Sequence, residues 1–255
     1  MKYIGKSLFL NVLALIAASV LSASAQTAAT QPTNHWTTAA TVGLTITRGN
    51  ADTTLFAFSV ASERKMTNDD LKLGADIIYG VSKIQGQGSA QETADSDHGF
   101  VQDNHNFTDR FYGYLRIEAL HDGIADVQYR LSVGPGAGYY LIKNKKLDLS
   151  VEGGIGYLTQ KLGDDYQSYA TLRAAQALHY QISEHAKAWE TIEVLPQAND
   201  LDNYIVNFEV GAEAGLNKKN KLALRTVLDD TYNNVPAAGR LRNDLKLIAG
   251  ITYKF

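Results

Sequence analysis

The chain has no cysteine in its 255 residues. A lipid-anchored lipoprotein is thereby excluded, and an exported chain without disulfides must draw its stability from its core or its surroundings. Basic blocks are missing too. The 24 Lys and Arg face 27 Asp and Glu, a formal charge of −3, which removes nucleic acid as a partner. Beyond residue 25 no apolar run approaches the roughly 20 residues that a membrane helix needs. That absence excludes helical spans but not barrel strands, whose hydropathy signal is much weaker per segment.

The one apolar run lies at the start, in MKYIGKSLFLNVLALIAASVLSASAQ. Lys2 and Lys6 precede a stretch from Leu8 to Leu21, and Ala23-Ser24-Ala25 closes it. This is the three-part pattern of a cleaved signal peptide, with the cut expected after Ala25. Losing two lysines and no acid takes the formal charge from −3 to −5. The expected organisation is a signal peptide at 1–25, a short periplasmic segment at 26–35 and one all-β domain at 36–255.

GPGAGYY, residues 134–140, raises the question of a phosphate loop. Such a loop needs its glycines to open a helix, because the helix N-terminus supplies the oriented N–H groups. Here YYLIKNKKLDL follows without helical period, and the glycine spacing fits neither phosphate-binding pattern. In VQYRLSVGPGAGYYL, Val127, Tyr129, Leu131, Val133, Ala137, Tyr139 and Leu141 alternate with Gln128, Arg130, Ser132, Gly134, Gly136 and Gly138. Period two is the signature of a strand with two unlike faces. The glycines leave room on one face for bulky neighbours or bend the strand, and Pro135 predicts a bulge or a missing ladder bond.

The same alternation recurs in twelve segments, at 36–47, 53–65, 70–83, 98–107, 110–121, 126–142, 146–161, 166–182, 185–195, 203–217, 220–231 and 243–255. The fourth alternates weakly, and the ninth is ambiguous in phase and suggests a bulge. Short connections such as Thr108-Asp109 and Ser183-Glu184 alternate with longer ones such as QGQGSAQETADSD. Short turns at one end and longer loops at the other fit an outer-membrane barrel with both termini in the periplasm.

Alternation alone does not separate a lipid-facing barrel from a soluble sandwich. Two further patterns favour the barrel. Charges of both signs sit mid-strand opposite apolar positions: Arg116, Glu118, Arg130, Glu152, Arg173, Glu209, Glu213, Arg225 and Lys246 are the expected lumen-facing set. Aromatics on the apolar face gather at two levels. Trp36, Phe111, Tyr139, Tyr180, Tyr253 and Phe255 fall on the periplasmic side, and Phe56, Tyr79, Tyr129, Tyr157 and Tyr204 on the other. Two aromatic girdles around an apolar band are the expected contacts with outer-membrane lipid. The fold class that follows is a closed antiparallel up-and-down transmembrane β-barrel of about twelve strands, behind a cleaved signal peptide.

The stretches WTTAATVGLTITRGNADTT from Trp36, YRLSVGPGAGYYL from Tyr129, LDLSVEGGIGY from Leu147 and LKLIAGITYKF from Leu245 resemble a bacterial outer-membrane family, domain of unknown function 481. It includes proteins described as salt-induced outer-membrane proteins. The Arg48-Gly49-Asn50-Ala51-Asp52 turn is the most family-like local motif, and Pro135 departs from the apolar residue expected there. The resemblance implies an outer-membrane barrel and a link to salt or osmotic stress, and it implies no reaction. Phe255 resembles the terminal signal read by the barrel-insertion machinery.

No residue is assigned a catalytic, cofactor-binding or metal-ligating role. Asp95, Asp97, His98, Asp103 and His105 form the densest ligand-type cluster, read as a solvated loop rather than a cation site. No G-x-S-x-G elbow is present. The leading function is a non-enzymatic outer-membrane barrel, either a narrow channel or an envelope-structural protein. The alternatives are a lipid-modifying barrel enzyme, for which no serine stands out and His179 falls on the lumenal face, and a soluble periplasmic binding sandwich. The barrel reading expects a membrane-fraction protein whose gel mobility shifts on heating. Appearance of the mature chain in the osmotic-shock fraction would favour the sandwich.

Overall fold

A computed structural model describes residues 34–47, 51–84, 89–217 and 219–255. The signal peptide at 1–25, most of the segment at 26–35 and the Arg48-Gly49-Asn50 part of the first turn lie outside the described residues. Twelve strands follow in order: β1 Trp36–Thr47, β2 Ala51–Lys65, β3 Asp69–Ile84, β4 Gln91–Asn106, β5 Phe111–Asp122 and β6 Val127–Lys143. The second half is β7 Leu147–Leu162, β8 Asp165–Ser183, β9 Ala186–Gln197, β10 Asp200–Gly215, β11 Leu222–Asn233 and β12 Asn243–Lys254. Each strand pairs antiparallel with its sequence neighbour, and β1 pairs with β12 to close the ring. Closure satisfies the backbone groups that an open sheet would leave at its edges.

The closing joint is the shortest ladder in the ring. β1 pairs with β2 from Trp36 to Thr47, and β12 pairs with β11 from Asn243 to Tyr253. Yet β1 and β12 meet each other only over five pairs, from Ala39↔Lys254 to Gly43↔Gly250. The Phe255 amide adds one bond to the Thr38 carbonyl at 2.9 Å. Past Gly43 and Gly250 the two strands part, and their facing edges are unpaired among the described residues.

Several connections are shorter than the sequence suggests. β4 begins at Gln91 rather than near 98, so the Asp95–His105 cluster lies on a strand and not in a loop. Only residues 163–164 join β7 to β8, and only 198–199 join β9 to β10. The ladder needs backbone alone and therefore continues into polar sequence where alternation fades. Of the bulge or missing ladder bond expected at Pro135, the structure has the gap in pairing and no bulge. The register with β5 runs through Leu115↔Pro135, while the β7 ladder has no pair at Gly134 or Pro135 and resumes in the same register. Around β9 the irregularities fall at its borders, between Gln181 and Ser183 of β8 and between Asp200 and Tyr204 of β10.

Glycines and tyrosines explain how the interior fills. Gly138 pairs with Tyr112 and Gly136 with Tyr114 across the β5–β6 ladder. Both rings lie over the glycine opposite, in the space that a Cβ would occupy. Trp189 lies over Gly211, its partner across β9–β10, in the same way. A side chain at Gly136 would also come 2.6 Å from the Gly153 carbonyl oxygen, whereas Gly153 has nothing within 4 Å of its own Cβ position.

Two outcomes follow. Gly136→Val destabilises by about 1–3 kcal/mol through overpacking, read as a lower temperature for the heat-induced gel shift, and Gly153→Ala leaves that temperature unchanged. In hydrogen exchange, the β12 amides that face β1 exchange faster between residues 243 and 249 than between 250 and 254; equal protection would show a fully zipped joint.

Candidate functional site

Inward side chains of β3, β4, β5, β7, β8 and β9 form one connected network. Asp76 on β3 contacts His98 Nδ1 at 3.1 Å, and His98 Nε2 lies 2.9 Å from Glu118 on β5. Arg116 donates from Nε to Glu118 at 2.8 Å and from Nη1 to Gln102 Oε1 at 3.1 Å. Gln102 donates to Asn104 at 2.9 Å and to Glu152 on β7 at 3.3 Å. Arg173 on β8 then donates to Glu152 at 2.6 Å, to the Tyr114 hydroxyl at 2.8 Å and to Glu193 on β9. Tyr112 donates to Glu152 at 2.7 Å. Contacts such as β4 to β7 and β5 to β8 join strands that are not neighbours, so these side chains meet inside the ring.

The glycine floor makes this reach possible. With no Cβ on Gly136 and Gly138, the Tyr114 and Tyr112 rings lie flat along the wall and their hydroxyls arrive at Arg173 and Glu152. The arginines also stack on aromatic faces: Arg116 over Phe100 at 4.3 Å and Arg173 over Tyr114 at 5.1 Å. Planar guanidinium groups suit such stacking better than ammonium groups.

The other expected charged residues fall in smaller groups. Arg130 is buried and donates from Nε to Gln160 at 2.8 Å. Glu209 accepts from the Trp189 indole N–H, and Arg225 lies over the Trp189 ring at 4.6 Å. Glu213 is buried and receives Lys254 at 2.5 Å and Lys187 at 3.6 Å. Lys246 on β12 bonds Asp122 on β5 at 3.0 Å. β12 and β5 lie nearly opposite in the ring, so one Lys–Asp pair spans the interior near that end.

Sequence reading did not single out Gln102, Asn104, Tyr112, Tyr114, Trp189 or Glu193. Tyr112 and Tyr114 share the parity of Arg116 and Glu118, which was signal enough to place them on the same face. His98 and Glu193 lay in the two weakly alternating segments. Asp95, Asp97, Asp103 and His105 have the opposite parity to His98, so the cluster divides between the two faces of β4. Among the described residues no group of three His, Cys, Asp or Glu side chains gathers as a metal site.

On the outer surface, Trp36, Tyr79, Phe111, Tyr129, Tyr139, Tyr157, Tyr180, Tyr253 and Phe255 are all exposed. Phe111 faces Tyr139 across one ladder and Phe56 faces Tyr79 across another. Tyr204 is half-buried and stacks on Tyr232 at 5.9 Å. β4 interrupts the apolar surface: Asp97 and Asp103 are exposed between apolar strands, with Val101 between them. His121 stands opposite Asp97 across the β4–β5 ladder; no hydrogen bond or ion pair accounts for Asp103 among the described residues.

Beside the network a cavity of about 30 Å³ is lined by Tyr114, Arg116, Glu118, Thr171, Arg173 and Glu193, among others. That is room for about one water.

No curated protein matches the chain. Among solved structures, the NanC porin is similar at 10% identity and a TM-score of 0.51, over 85% of this chain and 100% of that one. An outer membrane channel from Pseudomonas putida F1 is similar at 10% identity and a TM-score of 0.51, over 92% of this chain and 100% of that one. At that identity the likeness is one of fold. The family model described as protein of unknown function, DUF481, matches residues 40–255, and the chain belongs to that family.

Proposed function

We propose that the protein is a non-enzymatic outer-membrane barrel whose interior is a narrow, charged conduit for water and small ions. One observation carries the reading. The connected network from Asp76 through His98, Glu118, Arg116, Gln102, Glu152 and Arg173 to Glu193 links strands β3 to β9 across the inside of the ring, with a cavity of about 30 Å³ beside it. An apolar exterior supports the membrane setting. Leu115, Ile117, Leu131, Val133, Leu245, Leu247 and Ile251 are exposed without a partner layer, and a soluble monomer rarely shows so large an apolar surface. A twelve-strand ring is also wide enough to hold side chains and little more when they are large.

The histidine contacts, of which only those of His98 lie in the interior, fit structural roles better than a hydrolytic one. His98 lies between two carboxylates, His105 contacts Asp69, His121 contacts the Gln128 carbonyl and His185 contacts Asn220. The signal peptide at 1–25, the periplasmic segment at 26–35 and insertion through the strand ending at Phe255 belong to the same reading.

Planar-bilayer recording tests the conduit. The expected outcome is small conductance steps in the natural protein, enlarged severalfold by the double change Glu152→Ala/Arg173→Ala, which removes the cation with one of its two carboxylates and leaves Glu193. Arg173→Ala alone leaves two carboxylates unmatched and destabilises on the order of 3 kcal/mol, read by the heat-induced gel shift. Silence from both the natural protein and the folded double variant would leave an envelope-structural role.

A further inference from the structure

The half-zipped joint coincides with a second, larger cavity. It measures about 170 Å³ and is lined by Leu55 of β2, Ile78 of β3, Thr93, Ala94 and Asp95 of β4, Asp122 at the end of β5, Ile124 after it, and Asp244 through Ile248 of β12. Asp244–Ile248 is also the part of β12 that has no β1 partner. The cavity therefore opens where the first and last strands separate.

Its wall is of two kinds. Ala57, Ile78 and Ala94 form a buried apolar cluster, with Leu55 and Ile248 packed on it. It is one of two buried apolar clusters among the described residues, the other being Val127, Leu162 and Ala237, and it is the one that borders the cavity. Charged groups stand at one side. Lys246 is already matched to Asp122 at 3.0 Å, and Asp122 also accepts the Ile124 and Ala125 amides at 3.1 and 2.9 Å. Asp244 shares the parity of Lys246 and Ile248 and lines the cavity; its carboxylate makes no hydrogen bond or salt bridge among the described residues, with Lys246 two residues along on the same face. The site thus offers apolar side chains beside three carboxylates, of which Asp122 is matched by Lys246, Asp95 lies 3.7 Å from His121 and Asp244 has no such partner.

We propose that this cavity binds a small amphiphilic cation, its ammonium group on Asp244 and its apolar body among Leu55, Ile78, Ala94 and Ile248. The size fits. A cavity near 150 Å³ lined by apolar side chains holds benzene, so about 170 Å³ admits a single ring or a short alkyl chain. The sign of charge fits too, because an anionic head would meet Asp244 unscreened while Lys246 is engaged. Apolar burial with one convergent polar group is the general pattern of small-molecule sites. This inference does not need the conduit to conduct.

Isothermal titration of the folded protein in an uncharged detergent tests it, with benzylammonium as the probe and benzyl alcohol and benzoate as controls. Saturable benzylammonium binding is expected, at least about tenfold tighter than either control, the difference that one charge-assisted contact supplies. Asp244→Asn should weaken benzylammonium by a similar factor and leave benzyl alcohol unchanged. Ala94→Leu should remove all binding by filling the hollow. If that variant does not fold, Asp244→Asn decides alone. Absence of saturable binding by the natural protein, equal binding of benzoate, or indifference to Asp244→Asn would each overturn the site. A protein that conducts but does not bind the probe loses this proposal and keeps the conduit.

Discussion

A sheet that closes on itself leaves its inward side chains nowhere to go but toward one another. In this ring that constraint meets a second one: the outside is mostly apolar, so most mid-strand charges, Asp97 and Asp103 of β4 apart, sit on the enclosed face. Burying a charge is costly unless it is matched. The chain answers with opposite charges, amides and tyrosine hydroxyls on successive strands. Arg173 shows the logic most fully, because it touches Glu152, Glu193 and Tyr114 at once.

Space is managed by subtraction as much as by filling. Gly136, Gly138 and Gly211 stand opposite Tyr114, Tyr112 and Trp189. Each large ring thereby lies along the wall instead of standing into the centre. The glycine run that first suggests a phosphate loop is better understood as the floor of a polar core. On the β12–β4 side Leu55, Ala57, Ile78, Ala94 and Ile248 pack together beside Asp122, Asp244 and Lys246, and a cavity lies among them.

Most of the architecture was legible in the sequence because side chains in a strand alternate with a period of two. Residues 127–141 and 244–255 contrast apolar with polar or glycine positions so strongly that face and phase are fixed together. β4 was obscured because both of its faces are polar: Ser96, His98 and Gln102 point one way, Asp97 and Asp103 the other. Strand ends were underestimated for a related reason, since hydrogen-bonded pairing continues after the hydropathy contrast ends. The interior contacts were the least legible part. Parity tells which residues share a face, but the meeting of Gln102 with Glu152, or of Lys246 with Asp122, depends on how neighbouring strands are staggered around the whole circle.

The short ladder between β1 and β12 also carries a mechanical meaning. Trp36 and Lys254 sit at the same end of the ring, so tension applied to the two termini loads that ladder one pair at a time. Peeling breaks bonds in sequence, whereas shear would make them share the force. With only five pairs in line, this joint is the fracture line of the molecule, and the remaining eleven strand contacts outlast it as a curved, open sheet.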